Sequence, residues 1–135
     1  MGWVVVGWTP DEYGDVALDF ALAEARDHGH GVVVVNGTKG DAYVDDRYAG
    51  SDALAALEER LTASGLEHEV RQGVAPDVAE QLVDVAAELP AALLVLGLRR
   101  RTPVGKLLMG SVAQRVLLHA ECPVLCVKPG SVPGA

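Results

Sequence analysis

The stretch Ala91-Ala92-Leu93-Leu94-Val95-Leu96-Gly97-Leu98-Arg99-Arg100-Arg101-Thr102-Pro103-Val104-Gly105-Lys106-Leu107-Leu108-Met109-Gly110-Ser111-Val112 decides the fold. It opens with the most apolar run of the chain, passes through a glycine-bearing basic loop, and enters an amphipathic segment from Val112 to His119. That is the order strand, loop, helix. Such a loop delivers backbone N–H groups to one spot, and the helix N-terminus adds its own unpaired donors. Anions, nucleotide phosphates above all, suit that arrangement. Arg99, Arg100, Arg101 and Lys106 place four of the 11 basic residues in this loop, on a protein of net charge −8. A positive cluster on a negative protein reads as an anion site or as a solvated basic surface.

Working outward, the same alternation recurs. Trp3-Val4-Val5-Val6-Gly7-Trp8 is a continuous β-branched run, ended by Thr9-Pro10-Asp11, and predicts a strand buried on both faces. Asp11 and Glu12 suit the first turn of a helix carrying the stripe Val16, Phe20, Ala23, with Leu18, Leu22 and Ala25 beside it; His28-Gly29-His30-Gly31 stops it. Val32 to Val35 is a second buried strand, followed by a polar loop over 38–50 with Tyr43 and Tyr48. Ser51 is expected to cap a helix with the face Leu54, Leu57 and Leu61. Leu66 to Gln72 alternates, as a half-exposed strand does, and Pro76-Asp77 opens a helix through Val78, Leu82, Val85 and Leu89. After the central strand and loop, Ser111 is expected to cap a helix near 111–120 with Val112, Val116 and Leu117 inward. Pro123 opens a last strand from Val124 to Lys128.

Five strands thus alternate with four helices, which predicts an α/β fold with a parallel, doubly wound sheet and helices on both faces. Residues 1–128 form one expected domain, and 129–135, rich in Pro and Gly, an expected disordered tail. With 50% apolar but only 4% aromatic residues, the core is built from Val, Leu and Ala, which suits a covered parallel sheet.

The composition and the missing motifs narrow the function. A charge of −8 argues against general nucleic-acid or anionic-membrane binding. No apolar run is long enough to cross a bilayer, and the N-terminus lacks the basic n-region and cleavage site of a signal peptide, so a cytoplasmic location is expected. Cys122 and Cys126 would lie roughly 13 Å apart along a strand, too far for a disulfide, which needs less than about 7 Å; they read as structural thiols. His28-x-His30 has no third ligand nearby, and the aspartates of 41–46 lack the EF-hand spacing, so no metal site is expected. Val104-Gly105-Lys106 suggests a phosphate-binding loop of the Walker type, but Arg100 and Leu107 stand where Gly and Ser or Thr would be needed. Neither G-x-G-x-x-G after the first strand nor G-x-S-x-G is present, and no acid–base pair is recognisable. Nothing in the sequence marks a catalytic group.

With these pieces in place, residues 3–128 resemble the universal stress protein (UspA-like) family. Its nucleotide-binding members carry G-x-x-G, nine residues, then G-[ST]. Here Gly97 is the first glycine, 101–109 are the nine, and Gly110-Ser111 closes the motif. Further family-like stretches are Val32 to Asn36, Leu93 to Gly97, and the ending His119-Ala120-Glu121-Cys122-Pro123-Val124-Leu125. The resemblance implies the sheet order 3-2-1-4-5, whose reversal lies between the first and fourth strands, where ligands of such sheets bind. It implies ATP or a related adenine nucleotide, optionally with Mg, held by Gly7, Trp8, Thr9, Gly37, Leu96, Gly97, Arg100, Gly110, Ser111 and Val112. It also implies a homodimer paired through Val124, Leu125, Cys126 and Val127. Three positions depart from the pattern. Arg100 replaces the second motif glycine, and either contacts phosphate or fills the space glycine leaves open. Thr9 stands where the family usually carries Asp, and Gly37 where it carries an apolar adenine neighbour; Trp8 then packs on a base or belongs to the core. Three functions follow: a nucleotide-binding stress regulator with slow hydrolysis at most, a dimeric interaction module without nucleotide, and an enzyme of a related adenine-nucleotide superfamily. The last needs a Ser-Gly-rich loop after the first strand, which Trp8-Thr9-Pro10-Asp11 is not.

Overall fold

In the computed structural model, which describes residues 2–38, 50–74, 77–98 and 110–134, strands and helices alternate along the whole chain. They are β1 (Trp3–Gly7), α1 (Glu12–His28), β2 (Gly31–Thr38), α2 (Ser51–Ser64), β3 (His68–Val74), α3 (Val78–Glu88), β4 (Ala91–Gly97), α4 (Ser111–His119) and β5 (Val124–Val127). All strand pairs are parallel, in the order β3-β2-β1-β4-β5. The loop expected over 38–50 and the basic loop from Arg99 to Met109 fall outside the described residues, save for Thr38, which ends β2, and Gly50.

The valine runs pack on both faces of the sheet. Val4, Val6, Val32, Val34 and Val95 point to α1 and α2, meeting Val16, Leu18, Leu22, Leu57 and Leu61. Val5, Val33, Val35, Leu94 and Leu96 point to α3 and α4, meeting Leu82, Val85, Ala113 and Val116. A strand covered on both sides has no polar face, which is why these runs do not alternate. At about 25 cal/mol per Å², each fully buried Val or Leu contributes roughly 1.5–3 kcal/mol.

Helix starts are fixed by side chains in two cases. Asp11 caps α1, its carboxylate accepting from the Tyr13 and Gly14 amides. Asp77 caps α3 by accepting from the Glu80 amide. The two serines expected as caps are not: Gly50 and Gly110 hold the cap positions of α2 and α4, and Ser51 and Ser111 are the first helical residues. Leu117 also departs from expectation, being 42% exposed. The buried stripe of α4 runs through Ala113 and Val116, with Ala120 beyond, and Leu117 lies at its margin, about 100° round the helix from Val116.

Candidate functional site

The sheet order reverses between β1 and β4, and the helices that follow them, α1 and α4, pack on opposite faces of the sheet. A cavity of about 480 Å³ opens there, at the carboxyl ends of the strands. It is lined by Gly7 at the end of β1 with Trp8 and Thr9 after it, and by Leu96 and Gly97 of β4 with Leu98 after them; Gly7 and Leu96 are register partners. Val35 and Gly37 close it on the β2 side, Val78 and Leu82 of α3 wall it, and Gly110, Ser111, Val112 and Ala113 bring in the start of α4. Its volume is within the range of small-molecule sites.

Gly7, Trp8, Thr9, Gly37, Leu96, Gly97, Gly110, Ser111 and Val112, named above from the resemblance, line this one space. Arg100 lies outside the described residues. Sequence reasoning missed Asp11, Tyr13, Val35, Val78, Leu82, Leu98 and Ala113. For Val78 and Leu82 a signal existed: their i, i+4 spacing marks one face of α3, but not which end of the sheet that face meets.

The start of α4 brings a helix N-terminus to the wall. Gly110 caps it in an extended conformation, φ −61° and ψ 153°, with no side-chain capping bond. The amides of Ser111, Val112 and Ala113 belong to the first turn, where no preceding helical carbonyl exists to accept from them. All three residues line the cavity, so these donors and the positive end of the helix dipole accompany it. A Cβ built on Gly110 would meet nothing within 4 Å among the described residues.

Gly97 has a different reason to be glycine. A Cβ there would run into the Tyr13 carbonyl, so β4 and the first turn of α1 approach too closely for any side chain. Trp8 is core, only 6% exposed, and packs with Val16, Leu18 and Leu57. Its indole edge also borders a smaller cavity of about 250 Å³ between α1 and α2. Its buried Nε1 finds no hydrogen-bond partner among the described residues, and neither does Gln81 Oε1. Asp11 is the carboxylate among the lining residues, two positions after Thr9. Its Oδ1 accepts from Thr9 Oγ1 at 2.6 Å as well as from the α1 amides, so it is engaged in holding the β1–α1 turn.

Elsewhere, His30 Nδ1 accepts from the Gly2 amide at 2.9 Å, and its ring stacks on His28 at 6.0 Å. Among the described residues no group of three or more His, Cys, Asp or Glu is placed to hold a metal ion. Cys122 and Cys126 are free thiols packed against the α3–α4 side of the core. Burial pushes both above the usual thiol range. No described helix is long and apolar enough to cross a membrane.

Comparison with known proteins gives a consistent result. The model of the Universal stress protein family matches residues 2–128. A universal stress protein of Mycolicibacterium smegmatis is 47% identical over 126 residues, spanning 93% of this chain and 97% of its own. A universal stress protein structure from Archaeoglobus fulgidus is similar with a TM-score of 0.78 and 34% identity, over 95% of this chain and 98% of that one. A universal stress protein in complex with cAMP gives 0.71 and 27%, over 96% and 98%. One from Archaeoglobus fulgidus in complex with dAMP gives 0.64 and 28%, over 95% and 98%.

Proposed function

The chain belongs to the universal stress protein family, and from that premise we propose that it is a regulatory protein whose crevice binds ATP or a related adenine nucleotide. The observation that carries this reading is the start of α4. Its first-turn amides, with no side-chain cap, line the same cavity as the ends of β1 and β4. Phosphate is the ligand group that such an end accommodates best, because donors and dipole act together. The apolar walls from Val35, Val78, Leu82 and Leu96 suit a flat base. The adenine nucleotides held by two similar proteins agree with this chemistry.

In this reading Ser111, Val112 and Ala113 hold phosphate through their amides, Arg100 adds a charged contact, and Gly37 leaves room for the base. Any Mg would arrive with the polyphosphate. Binding, not turnover, is the role in this reading, with Asp11 Oδ1 holding the β1–α1 turn through Thr9 and the α1 amides. The protein acts as a homodimer paired through Val124, Leu125, Cys126 and Val127, the edge strand of the sheet. Protein purified without added nucleotide, denatured and analysed by mass spectrometry, should release an adenine nucleotide. If purified protein neither releases nor takes up such a ligand, the interaction-module reading replaces this one.

A further inference from the structure

We propose that Asp11 is a specificity-determining residue of the crevice, its carboxylate oxygen Oδ2 accepting a hydrogen bond from a ribose hydroxyl. The inference rests on the nucleotide reading above. Asp11 lines the crevice and is solvent-exposed. Its Oδ1 takes three hydrogen bonds, from Thr9 Oγ1 at 2.6 Å and from the Tyr13 and Gly14 amides at 3.1 Å each. Oδ2 takes none from any described residue. The three bonds hold the carboxylate in place and leave its second oxygen as an open acceptor. The turn that carries it is equally fixed. The Asp11 amide donates to the Thr9 carbonyl at 2.9 Å, and a Cβ on Gly14 would overlap that same carbonyl. A Cβ on Gly97 would overlap the Tyr13 carbonyl, so the turn is also pressed against the end of β4. An acceptor held this firmly costs little to order when a ligand binds.

The part of the ligand that meets it follows from the sheet order. β1 lies between β2 and β4. The base wall includes the β2 side, at Val35 and Gly37, and the phosphate end follows β4, at the start of α4. The β1–α1 turn thus falls between base and phosphate, and in a nucleotide that stretch is the sugar. Charge points the same way. A carboxylate repels phosphate, and the starts of α1 and α3 are already capped by Asp11 and Asp77, whereas α4 carries no side-chain cap. Ribose hydroxyls are uncharged donors, and a hydrogen bond to an ionised acceptor is among the stronger ones. Acidic side chains accept from ribose hydroxyls in this way in dinucleotide-binding sheets.

The test compares ATP, 2′-deoxy-ATP and 3′-deoxy-ATP by calorimetry on the full chain. The wild-type protein should favour ATP over at least one deoxy form by about tenfold, the value of one hydrogen bond to a charged acceptor. Asp11→Ser keeps a side-chain cap for α1 but has no second oxygen, and should bring that ratio to within about twofold of one. Asp11→Asn also caps, replaces Oδ2 by an amide that cannot accept, and should lower the ratio as well. Because the ratio compares sugars on one protein, neither a change in stability nor the loss of a charge near the phosphates moves it. Wild-type ratios near one for both deoxy forms, or a preference that survives in the folded variants, would overturn this inference and leave the nucleotide reading standing. Failure of all three triphosphates to bind would overturn both.

Discussion

Asn36 Nδ2 donates to the Trp8 carbonyl oxygen at 2.9 Å, and the Asn36 Oδ1 accepts from Gln72 Nε2 at 3.0 Å. This fully buried side chain ties the ends of β1, β2 and β3 together beneath the crevice. Asn36→Ala would strip the Trp8 carbonyl and Gln72 of a buried partner. We expect the unfolding free energy to fall by about 1–3 kcal/mol, read from the urea midpoint at constant slope. A loss below about 0.5 kcal/mol, the level of an ordinary surface change, would show that Asn36 does not organise this end of the sheet.

Two glycines of one motif should fail in different ways. Gly97→Ala drives a Cβ into the Tyr13 carbonyl and should destabilise by about 1–3 kcal/mol, as overpacking does. Gly110→Val meets nothing within 4 Å among the described residues, loses only a favoured cap residue, and should melt closer to wild type than Gly97→Ala. Thermal unfolding followed by circular dichroism separates them. Equal melting points would contradict the close approach of β4 to α1.

Arg100→Gly restores the family pattern at the one motif position that departs from it. If Arg100 contacts phosphate, triphosphate affinity should drop about ten- to a hundredfold, the equivalent of a charged hydrogen bond of roughly 1.5–3 kcal/mol. Nucleoside affinity should stay the same. A gain in triphosphate affinity would mean that the side chain obstructs the site.

The proposed dimer is tested at the sheet edge. Val124, Leu125 and Cys126 are only partly covered on β5, and Leu118 on the neighbouring helix is 78% exposed. An uncharged, accessible edge is a surface that partners cover. Light scattering at micromolar concentration should give twice the 14.1 kDa of the chain. Leu125→Lys should shift it toward one copy, and a wild-type protein that stays single on concentration would contradict the pairing.

The apolar runs made the fold legible. Val4 to Val6, Val32 to Val35 and Leu93 to Leu96 can be buried on both sides only in a covered parallel sheet, and helical stripes separate them. The strand order came from the family resemblance, because no local pattern says which parallel strands are neighbours. The glycine motif located the crevice, yet spacing could not show that Gly97 is constrained by Tyr13 while Gly110 is open. The serine caps were misplaced for a similar reason: glycine and serine both satisfy a cap position, and only backbone geometry decides between them.

The most direct test of the central claim is a calorimetric titration of ATP into wild-type protein and Gly110→Val side by side. The account predicts saturable binding to the wild type, one site per chain. Gly110→Val, folded by its melting curve, should bind at least about tenfold more weakly, because a side chain at the cap blocks the approach of phosphate to the α4 amides. Equal affinity in the two proteins, or no heat from the wild type, would contradict the claim that the start of α4 holds the phosphates.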